Sequence, residues 1–194
     1  MFSRPNRSVT LMELIIAIVL LAAVILGINN VNMFSRFHLI SSDRRAKLQN
    51  DISLSLEHIV KQASKAVGNE AVYGADSAVY ITATTLAVLA DTDLDAKRNP
   101  GTGDYWIRYK LDTGTHRLNY CSQCPDAACA TCSVAEEVIA SNISTFTCSK
   151  NFSIGNYVNV SITACYNAAL TCDTPDNPSV AMSNTIILPN ISTN

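Results

Sequence analysis

Ser8-Val9-Thr10-Leu11-Met12-Glu13-Leu14, with the apolar run from Ile15 to Ile28 behind it, is the stretch on which the reading of this 194-residue chain turns. Between Leu14 and Ile28 there is no charge and no Pro, and the one Gly is Gly27. From Leu11 to Ile28 the segment is 18 residues long and carries a single acid, Glu13. At about 1.5 Å per residue it nearly crosses a hydrocarbon core of roughly 30 Å. In front of it lies a short leader, Met1 to Ser8, containing Arg4 and Arg7. An acid costs roughly 2.5–3.5 kcal/mol at mid-bilayer and less near the end of a membrane helix. Glu13 therefore asks for a reason.

A secretory signal peptide has an apolar region of about 7–15 residues and a small-residue cleavage site. Here the run ends in Gly27-Ile28-Asn29-Asn30-Val31-Asn32, with no Ala-x-Ala pattern. A plain signal anchor accounts for the length and the basic leader but leaves Glu13 without a role. The order basic leader, small residue, hydrophobe-Thr-Leu-x-Glu, apolar helix resembles the prepilin N-terminus of type IV pilins and type II secretion pseudopilins. The resemblance implies cleavage between Ser8 and Val9 by a prepilin peptidase, N-methylation of Val9, and an assembly role for Glu13. The chain departs from the family at two positions: Ser8 stands where Gly is usual before the cut, and Val9 where Phe is usual after it.

Three segments follow from that reading: a leader over 1–8, a transmembrane or filament-core helix over 9–31, and a periplasmic or extracellular domain over 32–194. The resemblance implies a single-pass inner-membrane protein with its domain outside, which then enters a pilus or pseudopilus. Its partners would be other pilin or pseudopilin subunits, the peptidase, the membrane and the inner-membrane assembly platform. Arg4 and Arg7 ahead of the run are consistent with a cytoplasmic leader. The alternative is a signal-anchored extracytoplasmic binding or adhesion module that does not polymerise.

Net charge is −2, and loss of Arg4 and Arg7 with the leader takes it to −4. No basic face for nucleic acid is expected on that balance. All 7 Cys lie between Cys121 and Cys172, which points to an oxidising compartment.

The helical pattern continues past Asn32. Leu48, Ile52, Leu56, Ile59, Ala63 and Val67 form one stripe, and Glu57 and Lys61 make a favourable i,i+4 pair beside it. With Gly68-Asn69 as a stop signal, one helix of about 59 residues is expected, weakest from Gly27 to Asn32. Beyond Gly74 the period becomes two. Short strands are expected at 79–82 and 86–89. A half-buried strand carries Tyr105, Ile107, Tyr109 and Leu111 inward and Trp106, Arg108 and Lys110 outward, turning at Thr113-Gly114 into 115–120. One further strand joins Val138-Ile139 with 143–146, and others lie at 158–164 and 185–188, the last ending the sheet before Pro189. The fold class is α+β: a long N-terminal helix packed on an antiparallel meander. This layout resembles the pilin fold, and the strand order resembles the larger minor pilins and J-type pseudopilins.

Cys121-x2-Cys124-x4-Cys129-x2-Cys132 admits several chemistries. Four thiolates can wrap Zn²⁺, although the gap of 4 is shorter than the usual 15–20 residues between knuckles. Cys124, Cys129 and Cys132 with Cys148 echo an iron–sulfur spacing, and a Cys-x2-Cys can exchange disulfides, though no βαβ context surrounds it. The plainest reading is disulfides stapling a hairpin loop. Cys165 and Cys172, bracketing a short loop, are the preferred pair, and an odd count leaves at least one thiol over. Asp91, Asp93 and Asp95 match the first half of an EF-hand loop for Ca²⁺, with Asp104 a further donor. The loop lacks Gly at its sixth position (Ala96) and an acid at its twelfth (Thr102). His38, His58 and His116 are scattered, and no nucleophile–base or paired-carboxylate arrangement suggests an enzyme.

Overall fold

A computed structural model describes residues 10–69, 78–95, 97–98, 100, 103–151 and 156–192. The leader, Ser8 and Val9 lie outside the described residues. The chain divides into two compact units, Met1–Ser42 and Asp43–Asn194. Helix α1 (Leu11–Ala63, 53 residues) contributes to both. It runs unbroken through the Gly27–Asn32 stretch. A Gly costs about 1 kcal/mol in a helix and each Asn less. An unmet backbone group in an apolar surrounding costs several kcal/mol, so the ladder holds.

The helix ends earlier than expected, at Ala63 rather than beside Gly68. Lys65 and Ala66 donate to the carbonyls of Gln62 and Ala63, the tightened i→i+3 bonds of a closing turn. Val67 is buried, but in a strand, β1 (Val67–Asn69), rather than on the helical stripe. Gly68 serves close approach instead of helix termination, because a Cβ there would lie 2.6 Å from Cβ of Ala78.

Among the described residues ten strands follow where a single meander was expected. The first meander is β2 (Val79–Thr82), β3 (Thr85–Asp91), β4 (Asp104–Asp112), β5 (Arg117–Cys124) and β6 (Glu137–Ser141), paired antiparallel in that order. The second is β7 (Ile143–Asn151), β8 (Tyr157–Cys165) and β9 (Ser179–Ile187). β9 ends its sheet before Pro189 as expected, but a further strand follows in a separate pairing: β10 (Asn190–Ser192) pairs parallel with β1. The segment expected as one strand across 138–146 is two strands in two sheets. Asn142 makes the corner at φ 62°, the left-handed region that Asn tolerates. Its carbonyl accepts from Cys165 N, and the next residue, Ile143, donates to His116 O.

Both meanders close on the buried stripe Leu48, Ile52, Leu56, Ile59 and Ala63. Val158, Val160, Ile162 and Ala164 turn inward from β8 as its period-2 pattern dictates. Ile52 and Ile59 are fully buried, each worth about 1.5–3 kcal/mol. Ser55, a polar member of the buried helix face, donates to Asp51 O and to Ile139 O of β6. His58 sits at the edge of the stripe. Its Nδ1 is 3.0 Å from Tyr109 Oη, and its ring meets Tyr120 edge-on at 4.8 Å.

Burial holds the His58 pKa below its usual 6.5, against a smaller opposing pull from Glu137. The fold thus favours neutral imidazole, and the unfolded chain takes up the proton first as pH falls. Stability should therefore decline once the pH drops below about 6.5 and level off below the folded-state pKa. In urea titrations from pH 7.5 to 5, His58→Gln should flatten the part of that decline that wild type shows near pH 6; an unchanged slope would assign it elsewhere.

Candidate assembly helix and disulfide cap

The N-terminal end of α1 is built by a reciprocal capping box. Thr10 N donates to Glu13 Oε2 at 2.9 Å, Thr10 Oγ1 donates to the same oxygen at 3.1 Å, and Glu13 N donates back to Thr10 Oγ1 at 3.3 Å. The Thr-x-x-Glu spacing is the sequence signature of this motif, and it assigns Thr10 a role that the prepilin resemblance alone does not. Glu13 is thus engaged within its own chain through one oxygen. A carboxylate offers about four acceptor sites, so further bonds remain open to it.

The large apolar side chains between Leu11 and Ile40 are 47–76 % exposed. By length and apolarity this helix is a candidate membrane span. The contiguous patch is far larger than the few hundred Å² that soluble monomers expose.

On the second unit, the outer face of the first meander is covered where a solvated face was expected. β3 is buried along its whole length. In β4, Trp106 and Arg108 of the outward row are buried and only Lys110 is exposed. The cover is the chain from 125 to 136, which folds back over β3 and β4. Two nested disulfides tie it down, Cys121–Cys132 and Cys124–Cys129. Their sulfurs pack with Trp106, Leu89, Ala87 and Val67 in a second, smaller core. Loops this short gain up to about 3 kcal/mol from each bridge in the chain-entropy picture.

Arg108, 3 % exposed, is the polar centre of this cap. Its guanidinium donates to Cys129 O and to the Glu136 carboxylate, joining the strand to the middle and the far end of the loop. Alternation along β4 assigned Arg108 to solvent, and nothing local in the sequence signals its burial. Beside it opens a cleft of ≈ 460 Å³ whose polar lining includes Arg108, Lys110, Asn119 and Glu136.

Each of the sequence-singled Cys now has a place. Cys165–Cys172 is bridged as expected. Cys148 is free and its inward position on β7 raises its thiol pKa to about 12 by burial. The four sulfurs considered for Zn²⁺ are paired with one another, so Cys124, Cys129 and Cys132 of the iron–sulfur spacing are bridged while its fourth member, Cys148, is free; a disulfide sulfur is not a thiolate ligand. Asp91 and Asp104 face each other across the β3–β4 ladder, both buried, and their carboxylates lie with that of Asp93 within 4.8 Å of one another. Hard oxygen donors at that spacing suit Ca²⁺. Asp95 is not in this group; its Oδ1 accepts from Lys97 N in the loop beyond. Asp104, from a different strand, takes the place that the EF-hand pattern gave to Asp95.

Comparison with protein-family models, with characterised proteins and with solved structures returns no match.

The pairing has a direct chemical readout. Denatured without reductant, the chain should take up a thiol alkylating agent at Cys148 alone; after reduction all 7 Cys should react. Full labelling without reductant, in protein from an oxidising compartment, would contradict the cap.

Proposed function

We propose that this chain is a pilin-like structural subunit, a minor pilin or pseudopilin, that polymerises through the N-terminal half of α1. The observation that carries the reading is the helix itself: exposed and apolar from Leu14 to Ile28 with further exposed apolar side chains as far as Ile40, acidic at Glu13, and continuous with the stripe that builds the domain core. Such a surface requires a membrane or neighbouring helices to cover it.

Glu13 then has a second task beyond capping. In a water-poor filament core, its carboxylate would pair with the positive amine that leader cleavage creates at Val9 of a neighbouring subunit. Paired and hydrogen-bonded, two such charges are tolerated; either one alone is heavily penalised. Cleavage would thereby act as the assembly switch, and the pair would set the axial register between subunits.

Capping and charge pairing make different demands, and two substitutions separate them. Gln at the third helical position still completes a capping box, whereas Ala does not. Glu13→Gln and Glu13→Ala should both insert in the membrane and both incorporate poorly into filaments. Normal assembly of Glu13→Gln would reduce Glu13 to a capping residue and sink the charge-pair mechanism. The rival, an anchored binding module, differs in retaining residues 1–8 in the mature protein, which the intact mass of the membrane form reads directly.

A further inference from the structure

Sheet edges present rows of unpaired N–H and C=O groups, and folded proteins blunt them with charges, Pro, bulges or covering elements. The edge strands of the two meanders can be taken in turn. At β2, Lys150 Nζ donates to Val79 O at 3.0 Å, so an inward-pointing charge of β7 blunts both strands. At β6, Ser55 Oγ of the helix occupies Ile139 O, and Glu137 adds a charge. β9 has neither device: Ser179-Val180-Ala181-Met182-Ser183-Asn184-Thr185-Ile186-Ile187 contains no charge and no Pro over 9 residues. Among the described residues, β8 is its one sheet neighbour.

Which backbone groups face the open side follows from the ladder. Leu188 N donates to Asn156 O and Tyr166 N to Pro178 O, the bonds that bracket the β8–β9 pairing, and the register between them is unbroken. Hydrogen-bonded and non-hydrogen-bonded pairs alternate in an antiparallel ladder. The even-numbered residues of β9 therefore bond to β8. The N–H and C=O groups of Ser179, Ala181, Ser183, Thr185 and Ile187 point away from it.

We propose that this edge is a strand-pairing site occupied by β9 of a second copy of the chain, antiparallel and centred on Ser183. The strand is complementary to itself in that register. Ser183 meets Ser183, Ala181 meets Thr185 and Ser179 meets Ile187, so every outward-facing residue lies opposite another and exchanges both backbone bonds with it. The core-facing row continues across the junction, with Val180 opposite Ile186. No charge on either strand opposes the contact. A two-fold contact of this kind is independent of polymerisation through α1.

Site-directed crosslinking of the full chain in its native membranes tests the pairing. Residues in a hydrogen-bonded antiparallel pair have Cα atoms about 5.5 Å apart, inside the disulfide range of roughly 4.4–6.8 Å. Ser183→Cys should give a reducible homodimer on mild oxidation. Thr147→Cys, exposed on β7 of the same sheet, should stay at the background set by the parent chain. Adding Ala181→Pro, which removes an outward donor without touching a β8 bond, should abolish the Ser183→Cys dimer. Ala181→Lys should do the same by placing a charge on the edge, and it decides the matter if the Pro variant fails to fold. Equal dimer from Ser183→Cys and Thr147→Cys overturns the proposal, as does a crosslink to a different protein or a dimer that survives Ala181→Lys.

Discussion

Both meanders depend on one surface, the helical stripe Leu48, Ile52, Leu56, Ile59 and Ala63. Neither sheet is self-sufficient, since an antiparallel sheet must bury one face and a three-stranded one has little area with which to do so. The two share a core because they share the helix, with Ile107, Tyr109 and Leu118 reaching it from one side and Phe146, Val160 and Ile162 from the other. The polar contacts at this seam are few and local. Ser55 ties the helix to β6, and His58 ties it to Tyr109 and Tyr120. They fix the rotation of the helix about its axis, while the apolar burial supplies the free energy.

A five-stranded sheet covered by one helix leaves its other face to water, and β3 and β4 are too apolar for that. Leu89, Ala87 and Trp106 on the outer row explain why the loop from 125 to 136 lies back across the sheet. The disulfides hold a cover whose own apolar content is small, and Arg108 anchors the same loop through a backbone carbonyl and Glu136. Burying that guanidinium is tolerable because Nη1 and Nη2 are both engaged, although Nε has no hydrogen-bond partner among the described residues; an unpaired charge there would cost several kcal/mol. Cap and sheet thus need each other, and the Cys cluster serves packing as much as cross-linking.

The helix stripe and the period-2 pattern of β8 were legible in sequence because each element presents one buried face. Legibility failed where that premise did. β3 and β4 are buried on both faces, so alternation misassigned Trp106 and Arg108. Val67 fits the helical stripe by spacing, but the pull of β10 and the Ala66–Ala90 bridge ends the helix first. The division of 138–146 into two strands rests on the left-handed backbone at Asn142, a property of one residue that hydrophobic periodicity does not register. Cys165–Cys172 was readable from its short span, whereas nesting of the other four depends on a loop fold that spacing alone leaves open. The acids near residue 91 were half legible: Asp91 and Asp93 are together, but Asp104 joins them through strand pairing and not through loop spacing.

For Glu13, the observed cap and the proposed pairing with a neighbour's amine need not compete. Capping uses a single oxygen of a group with spare acceptor sites, and it orients the carboxylate at the start of the helix. A carboxylate already ordered there loses less conformational freedom on meeting a partner than one on a free rotor, since immobilising a Glu side chain costs up to about 2 kcal/mol. The placement also suits the helix dipole, whose positive end lies at the first turn. On the proposed reading, deleting the side chain would remove two supports at once, and only a substitution that keeps the cap while neutralising the charge separates the requirement for a helix start from the requirement for an anion.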